Sequence, residues 1–394
     1  MKKTVAAAML ALALFVFAVH AHAEGMVDYG RITRNLNGEP LNPAAPMRTK
    51  LGADGRLMGE FPSATGPAWK DMDRQPWLVM PLRDNLKYYM KDGTVKEGMF
   101  TRASTAYYRN QYGTWTLAAA NEARFGFENM STADGWHWTK AGYTDEDSVA
   151  NLALQSGSPA SQTVGLSTAG YYTLWVEGAG NCAIAANTAA GTGFGTATDG
   201  SYVVINITSV GTVDLTVTGS LARFQLEKGC NPTSYIPTAT VPVTRAADML
   251  TVPSAGLVDD AAGTLALDYY SLQRKGVAPS GFAKWYLLVD FGASRYPIGL
   301  NSTVAKVQGN DGTSSVSADF DWGQKVCTFV AGWGGATRKI YNKTQGTDAS
   351  GTYDGSWDAG PSIEVGRLSG ANGHVSNLRI WKGVRLKDSE VNGL

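Results

Sequence analysis

The sequence predicts a mainly β protein: two tandem β-sandwiches preceded by an irregular N-terminal segment. Three observations carry this. Short segments with apolar residues at every second position recur from Phe125 onward, as in TVDLTVT (Thr212 to Thr218), where Val213, Leu215 and Val217 alternate with polar neighbours. Gly-rich turns such as GTGFG (Gly191 to Gly195) separate these segments, with no helical stretch between them. Charged residues make up only 17% of the 394-residue chain, which carries 46 glycines; that profile suits an extracellular β protein better than a helical cytosolic enzyme.

The elements follow in chain order. Lys2 and Lys3, an apolar stretch from about Val5 to Val19, and the small-x-small string Ala21-His22-Ala23 read as a secretory signal over residues 1–23, cleaved after Ala23. The apolar stretch falls short of the ~20 residues that a spanning helix needs; an uncleaved anchor is the rival reading. The expected location is therefore extracellular. Residues 24–98 are rich in Pro and Gly, as in LNGEPLNPAAP (Leu36 to Pro46), and show no sustained period before Trp77. They read as an irregular attachment segment that a partner surface orders, with short strands near its end.

Residues 125–240 form the first sandwich. SYVVINI (Ser201 to Ile207) places Val203, Ile205 and Ile207 on one side. YYTLWVEG (Tyr171 to Gly178) is a further strand, and LARFQLEKG (Leu221 to Gly229) puts Ala222, Phe224 and Leu226 inward. Pro237 and Pro242, which cannot donate to a ladder, mark a joint in YIPTATVPVTR. The second sandwich spans 244–394. Its strands are TLALDYYSL, WYLLVDFG, KVCTFVAGW, TRKIYNKT, SIEVGRL and HVSNLRIW, and helical tendency appears only in the tail, RLKDSEV (Arg385 to Val391).

Charge and cysteine narrow the function. The chain has 34 basic and 34 acidic residues and no long run of Lys or Arg, which argues against nucleic acid as a partner. Cys182 and Cys230 fall in one predicted domain, so an oxidising destination allows a disulfide between them; three buried thiols, with Cys327, is the alternative.

Candidate chemistry rests mainly on aromatics, because sugar rings stack on flat side chains. Trp136 and Trp138 stand out in the first sandwich, and Trp322, Tyr353 and Trp357 in the second. Most aromatics in such a protein pack in cores, as Trp175 and Trp381 should, inside strands. Trp322 and Trp357 lie among Asp and Gly in DFDWGQ and YDGSWDAG, where a surface role is expected. Asp319, Asp321, Asp354 and Asp358 suit turn caps, with calcium as a rival use of their oxygens. Beyond that calcium, no cofactor is expected. The mature chain has only His137 and His374, too few for a His-rich zinc site, and no phosphate-loop, dinucleotide or nucleophile-elbow motif occurs.

Three phrases add a family resemblance. FTRASTAYY (Phe100 to Tyr108), running on to Asn121, Arg124 and Phe125, resembles the start of bacteriophage head-spike and tail-fibre proteins. ARFQLEKGCNPTSYIPT (Ala222 to Thr238) is similar to the end of their carbohydrate-binding-module-like jelly roll. VTRAADM (Val243 to Met249) and GHVSNLRIWKGVRLKDSEV (Gly373 to Val391) resemble the two ends of their concanavalin A-like, laminin-G-like domain. The resemblance implies a spike-type hairpin at 99–124, a jelly roll at 125–240 and a laminin-G-like sandwich at 244–394. The family's acidic Glu-Glu-Ala-Arg-Thr-Asn continuation is absent, and a signal peptide is unusual on a virion protein. A virion and a bacterial secreted assembly both stay open as locations.

These readings converge on a non-enzymatic fibre, spike or secreted surface protein. It would bind cell-surface glycans, attach to a virion or surface assembly through residues 24–98, and form a homo-oligomer. A secreted glycoside hydrolase or lyase on the second sandwich, and a purely structural decoration protein, are the alternatives.

Overall fold

A computed structural model of the chain describes residues 48–51, 57–60, 75–132, 135–272, 285–292, 295–301, 305–321, 326–367 and 372–394. The expected signal segment with its expected cleavage after Ala23, and most of the expected attachment segment up to residue 74, lie outside the described residues. The chain divides into two compact units, Met1–Asp73 and Arg74–Leu394. The described part of the first is an antiparallel hairpin, Arg48–Leu51 with Leu57–Glu60.

The second unit is nearly all β, as the alternating pattern predicts. One eight-stranded antiparallel sheet is built on two long strands, Gly170–Ala186 and Gly211–Lys228, paired along almost their whole length. Near the middle of the pair the register slips between Glu177 and Gly178. Gly178 sits there at φ +116°, where a Cβ would lie 2.6 Å from the Ala222 backbone nitrogen. That close approach lets the pair bend, so that its two halves carry different neighbours. Gln162–Leu166 and Gly195–Thr198 flank one half; Val203–Ser209 and Val149–Asn151 flank the other. The enclosed core takes Val213, Leu215, Ile205, Ile207, Phe224 and Leu226, in step with the predicted inward faces. Ala222 departs from that pattern and is exposed. Gln225 and Glu227, on the opposite face from Phe224 and Leu226, are also buried, because the 231–238 segment folds over them.

The other two large sheets share one core. A seven-stranded sheet runs from Ser315–Asp319 to Met99–Thr101, and a ten-stranded sheet holds Ala262–Ser271, Val326–Gly334 and Gly373–Lys382 at its centre. Leu250, Leu288, Ile298, Leu300 and Val365 from the first pack with Leu265, Leu267, Phe329, Val375 and Ile380 from the second. The C-terminal helix Asp388–Asn392 caps the outer face, where Val391 and Leu386 cover Tyr341 and Trp381.

Sheet pairing crosses two boundaries expected from sequence. Leu78–Met80, Lys87–Met90 and Val95–Glu97, placed in the irregular segment, extend the ten-stranded sheet, with Leu78 and Met80 opposite Ile380 and Leu378. The hairpin Phe125–Thr132 and Gly135–Asp145, placed at the start of the first sandwich, joins the same sheet: Tyr143, Thr144 and Asp145 lie opposite Val375, His374 and Gly373. The physical reason is that the Gly373–Lys382 strand has a free edge longer than either segment alone. Its N-terminal part takes one of them and its C-terminal part the other.

The three phrases singled out in the sequence meet in a buried ionic network. Arg102 Nη1 lies 2.9 Å from Asp248. Arg124 Nη1 lies 2.7 Å from Glu146, and its other terminal nitrogen pairs with Asp248. Arg245 Nη1 lies 3.0 Å from Glu146, whose other oxygen accepts the Ser234 backbone N–H at 2.6 Å. All of these side chains are buried. The network ties the 99–124 segment, the 231–238 loop and the start of the second sandwich to one another. No disulfide helps: Cys182, Cys230 and Cys327 are buried thiols.

Candidate functional site

The sequence-predicted residues scatter. Trp322 lies outside the described residues, and nothing of the Trp136 side chain is described. Trp357 is a core residue, only 1% exposed, against the expectation of an exposed ring. Its ring packs edge-on against Phe291 and Trp333, with centroids 5.4 and 5.3 Å away. The turn carrying it folds inward because Asp260 accepts the Trp357 backbone N–H at 2.9 Å, while Asp354, Ser356 and Asp358 stay outside. Tyr353 is buried beside it and donates its hydroxyl to the Asp260 carbonyl at 2.9 Å. Both rings are buried in the shared core, so neither offers a stacking surface.

The four aspartates do not gather either. Arg295 bridges Asp354 at 3.0 Å and Asp358 at 2.8 Å. Asp319 pairs with Lys306, and Asp321 is exposed nearby. Among the described residues, no three acidic, His or Cys side chains converge as a metal-ligand group.

Trp138 is the predicted ring that reaches a site. It lines a cleft of about 320 Å³ between the hairpin Ala106–Arg109/Trp115–Ala118, the Phe125–Asp145 hairpin and the first sandwich. Tyr108, Trp115, Trp175 and Tyr202 complete its aromatic lining. The short hairpin turns at Gly113 with φ +73°, and a Cβ there would fall 2.2 Å from the Trp138 ring. A glycine is therefore needed both for the left-handed turn and for the contact. Arg109 lies between two indoles, its guanidinium carbon 3.9 Å from the Trp115 centroid and 5.7 Å from that of Trp138. Its terminal nitrogens donate to the Gly113 carbonyl at 2.6 Å and to Glu177. Burial, with Arg223 nearby, lowers the Arg109 guanidinium to about 10.

Glu177 is the anchor of this corner. It accepts the Trp115 indole N–H at 3.0 Å and pairs with Arg223 at 3.1 Å. On the far wall, His374 shares a hydrogen bond with Thr144 at 3.0 Å through Nδ1 and meets Glu128 at 3.1 Å through Nε2. Trp175 is only 7% exposed and packs on Trp115 and Tyr235. Its indole N–H has no hydrogen-bond partner among the described residues. Asp199 lines the rim. The cleft thus combines flat rings with fixed carboxylate acceptors, a set suited to holding a polyhydroxylated ring by stacking and hydrogen bonds.

Sequence reasoning assigned Trp175 to the core and passed over Tyr108, Arg109 and Trp115. The available signal was YYRNQYGTW (Tyr107 to Trp115), where aromatics and an arginine crowd around a Gly turn.

No protein-family model matches the sequence, and no curated protein matches it. Among solved structures, domains LG4-5 of the mouse laminin alpha1 chain are similar at a TM-score of 0.23 and 13% identity, over 59% of this chain and 88% of that one. A tail fibre protein of an E. coli phage, gp63.1, is similar at a TM-score of 0.21 and 9% identity, over 77% of this chain and 46% of that one. The chain thus spans under half the length of that tail fibre. Both are loose likenesses of fold alone, and the cleft is defined by its own residues.

Proposed function

We propose that this is a non-enzymatic glycan-binding protein of a fibre, spike or secreted surface assembly, and that its ligand occupies the cleft around Trp138. The observation that carries this is the aromatic lining of the cleft beside the Glu177 and Glu128 carboxylates. Each site would bind weakly, and display of several copies on one assembly would raise avidity. Attachment through residues 24–98 and secretion by the N-terminal signal belong to the same proposal, and rest on the sequence phrases and the signal-like leader.

The test is a glycan array probed with the full mature chain, followed by titration of the best ligand. Trp138→Ala should cost about 1–2 kcal/mol of affinity, the scale of one aromatic contact, and leave thermal unfolding nearly unchanged. Unaltered affinity would place the ligand elsewhere. A chelator should leave binding intact if calcium has no part; loss of binding on chelation would restore the calcium reading.

A hydrolase reading is favoured by one observation, that Glu128 and Asp199 line the same cleft, since a glycosidase works with a pair of carboxylates. Release of reducing ends from a bound oligosaccharide, abolished by Glu128→Gln, would establish it in place of simple binding.

A further inference from the structure

We infer that the chain carries a second carbohydrate site, in a groove of about 690 Å³ between the tip of the 106–118 hairpin, the Phe125–Asp145 hairpin and residues 84–97. It goes beyond the Trp138 cleft and rests on residues of its own, since Tyr108 is the one residue that lines both. The stacking element is Tyr112, whose ring is 72% exposed. This ring does not sit on a loose tip. Asn110 Oδ1 accepts the Tyr112 and Thr114 backbone N–H groups at 2.9 and 3.1 Å, and the Asn110 carbonyl accepts the Gly113 N–H at 2.9 Å. Gly113 is in turn seated against the Trp138 ring. An aromatic presented on a fixed turn loses little freedom when it stacks on a ligand.

The facing wall is also held in place. Phe127 is half-buried, with the Lys140 ammonium 5.1 Å from its centroid, and Lys140 pairs with Asp84. That pair ties the Phe125–Asp145 hairpin to the turn at residue 84. Polar groups complete the lining. Gln111 and Glu97 are exposed, and their side chains have no hydrogen-bond partner among the described residues. Glu122 spends one carboxylate oxygen on the Ala119 N–H at 2.7 Å. Asn121 accepts the Arg102 N–H at 3.0 Å through its oxygen, which keeps its amide N–H groups for a ligand. Carboxylates accept and carboxamides both accept and donate, as vicinal sugar hydroxyls require. An apolar protein face would strip water from these groups and return nothing, whereas hydroxyls replace the lost hydrogen bonds.

The experiment titrates the full chain with hexasaccharides of glucose, galactose, mannose, xylose and N-acetylglucosamine, by calorimetry. Trp138→Ala should leave residual binding of at least one hexasaccharide. Adding Tyr112→Ala should weaken that residual binding roughly five- to tenfold, the scale of one aromatic contact, without lowering thermal stability, because the ring is exposed. Tyr112→Phe, which keeps the ring, should bind like the parent. Loss of all binding on Trp138→Ala, with Tyr112→Ala parent-like, overturns the inference and leaves the Trp138 cleft as the glycan site. Residual binding that Tyr112→Ala does not change also overturns it. Binding unmoved by Trp138→Ala but lost on Tyr112→Ala supports the inference and overturns the placement of ligand in the Trp138 cleft. Absence of carbohydrate binding, with self-association in sedimentation that Tyr112→Ala abolishes, assigns the groove to a protein contact and overturns the inference. Absence of both overturns it too.

Discussion

Trp357 and Trp138 both sit near glycine-containing turns, yet one plugs the sandwich and the other lines the cleft. Trp357→Ala should destabilise the fold by about 3–5 kcal/mol, the usual cost of emptying a core aromatic site, with glycan affinity of the surviving folded fraction unchanged; denaturant titration beside a binding assay separates the two. Two buried glutamates make opposite pH statements. Burial works to raise Glu146, but Arg245, Arg124 and the Ser234 bonds hold it at about 2, below its ordinary 4.5. Its stabilisation is complete above pH 4.5 and is lost as pH falls through about 2. Glu227 lies at about 7, raised by burial and by the nearby Glu146 charge against the Thr233 bonds and Arg245. Its contribution is complete below pH 4.5 and is lost as pH rises through about 7. Glu227→Gln, which keeps a hydrogen-bonding group beside Thr233, should flatten the decline between those values and make the variant more stable than the parent at pH 8. A parent-like slope in a stability-versus-pH series would show that Glu227 titrates without linkage to folding.

At the scale of elements, the 106–118 hairpin is the one on which the site depends. Its turn is set by Gly113, and its Arg109 and Trp115 hold Glu177 and support Trp138. Gly113→Ala combines a positive φ with a Cβ driven into the Trp138 ring. It should cost about 1 kcal/mol or more of stability and reduce glycan affinity beyond what Trp138→Ala alone does, because Arg109 shifts too. Calorimetry on both variants checks this. The hairpin was legible as a turn with flanking aromatics. Its partner was not, since Glu177 lies 62 residues from Trp115 and meets it only after the long strands have bent at Gly178.

In the whole second unit, the sheets do not respect the boundaries that composition suggests. Removing residues 24–97 strips three strands from the ten-stranded sheet, and starting at residue 125 also deletes Arg102 and the cleft hairpin. Losing Arg102 leaves Asp248 with one fewer cation in a buried network, a loss on the order of 3–5 kcal/mol. A chain starting at residue 75 should therefore melt cooperatively near the full chain, whereas one starting at 125 should melt well below it and lose the proposed glycan binding. Equal melting of the two would mean that residues 75–124 add nothing to the fold.

The mainly β character, the inward faces of the central strands and the importance of three phrases could all be read from the residues in order. Alternation at period two is a local property, so Val213, Leu215, Ile205 and Phe224 could be assigned without knowing their partners. Which strands pair, where Trp357 and Trp138 end, and why Arg102, Arg124, Arg245 and Asp248 recur in those phrases became visible only in three dimensions. The reason is physical. An exposed strand edge, a ring near a turn and a charged side chain each have more than one low-energy fate. The choice is made by groups far away in the chain: the free edge of Gly373–Lys382, the Asp260 carboxylate and the paired carboxylates of the buried network.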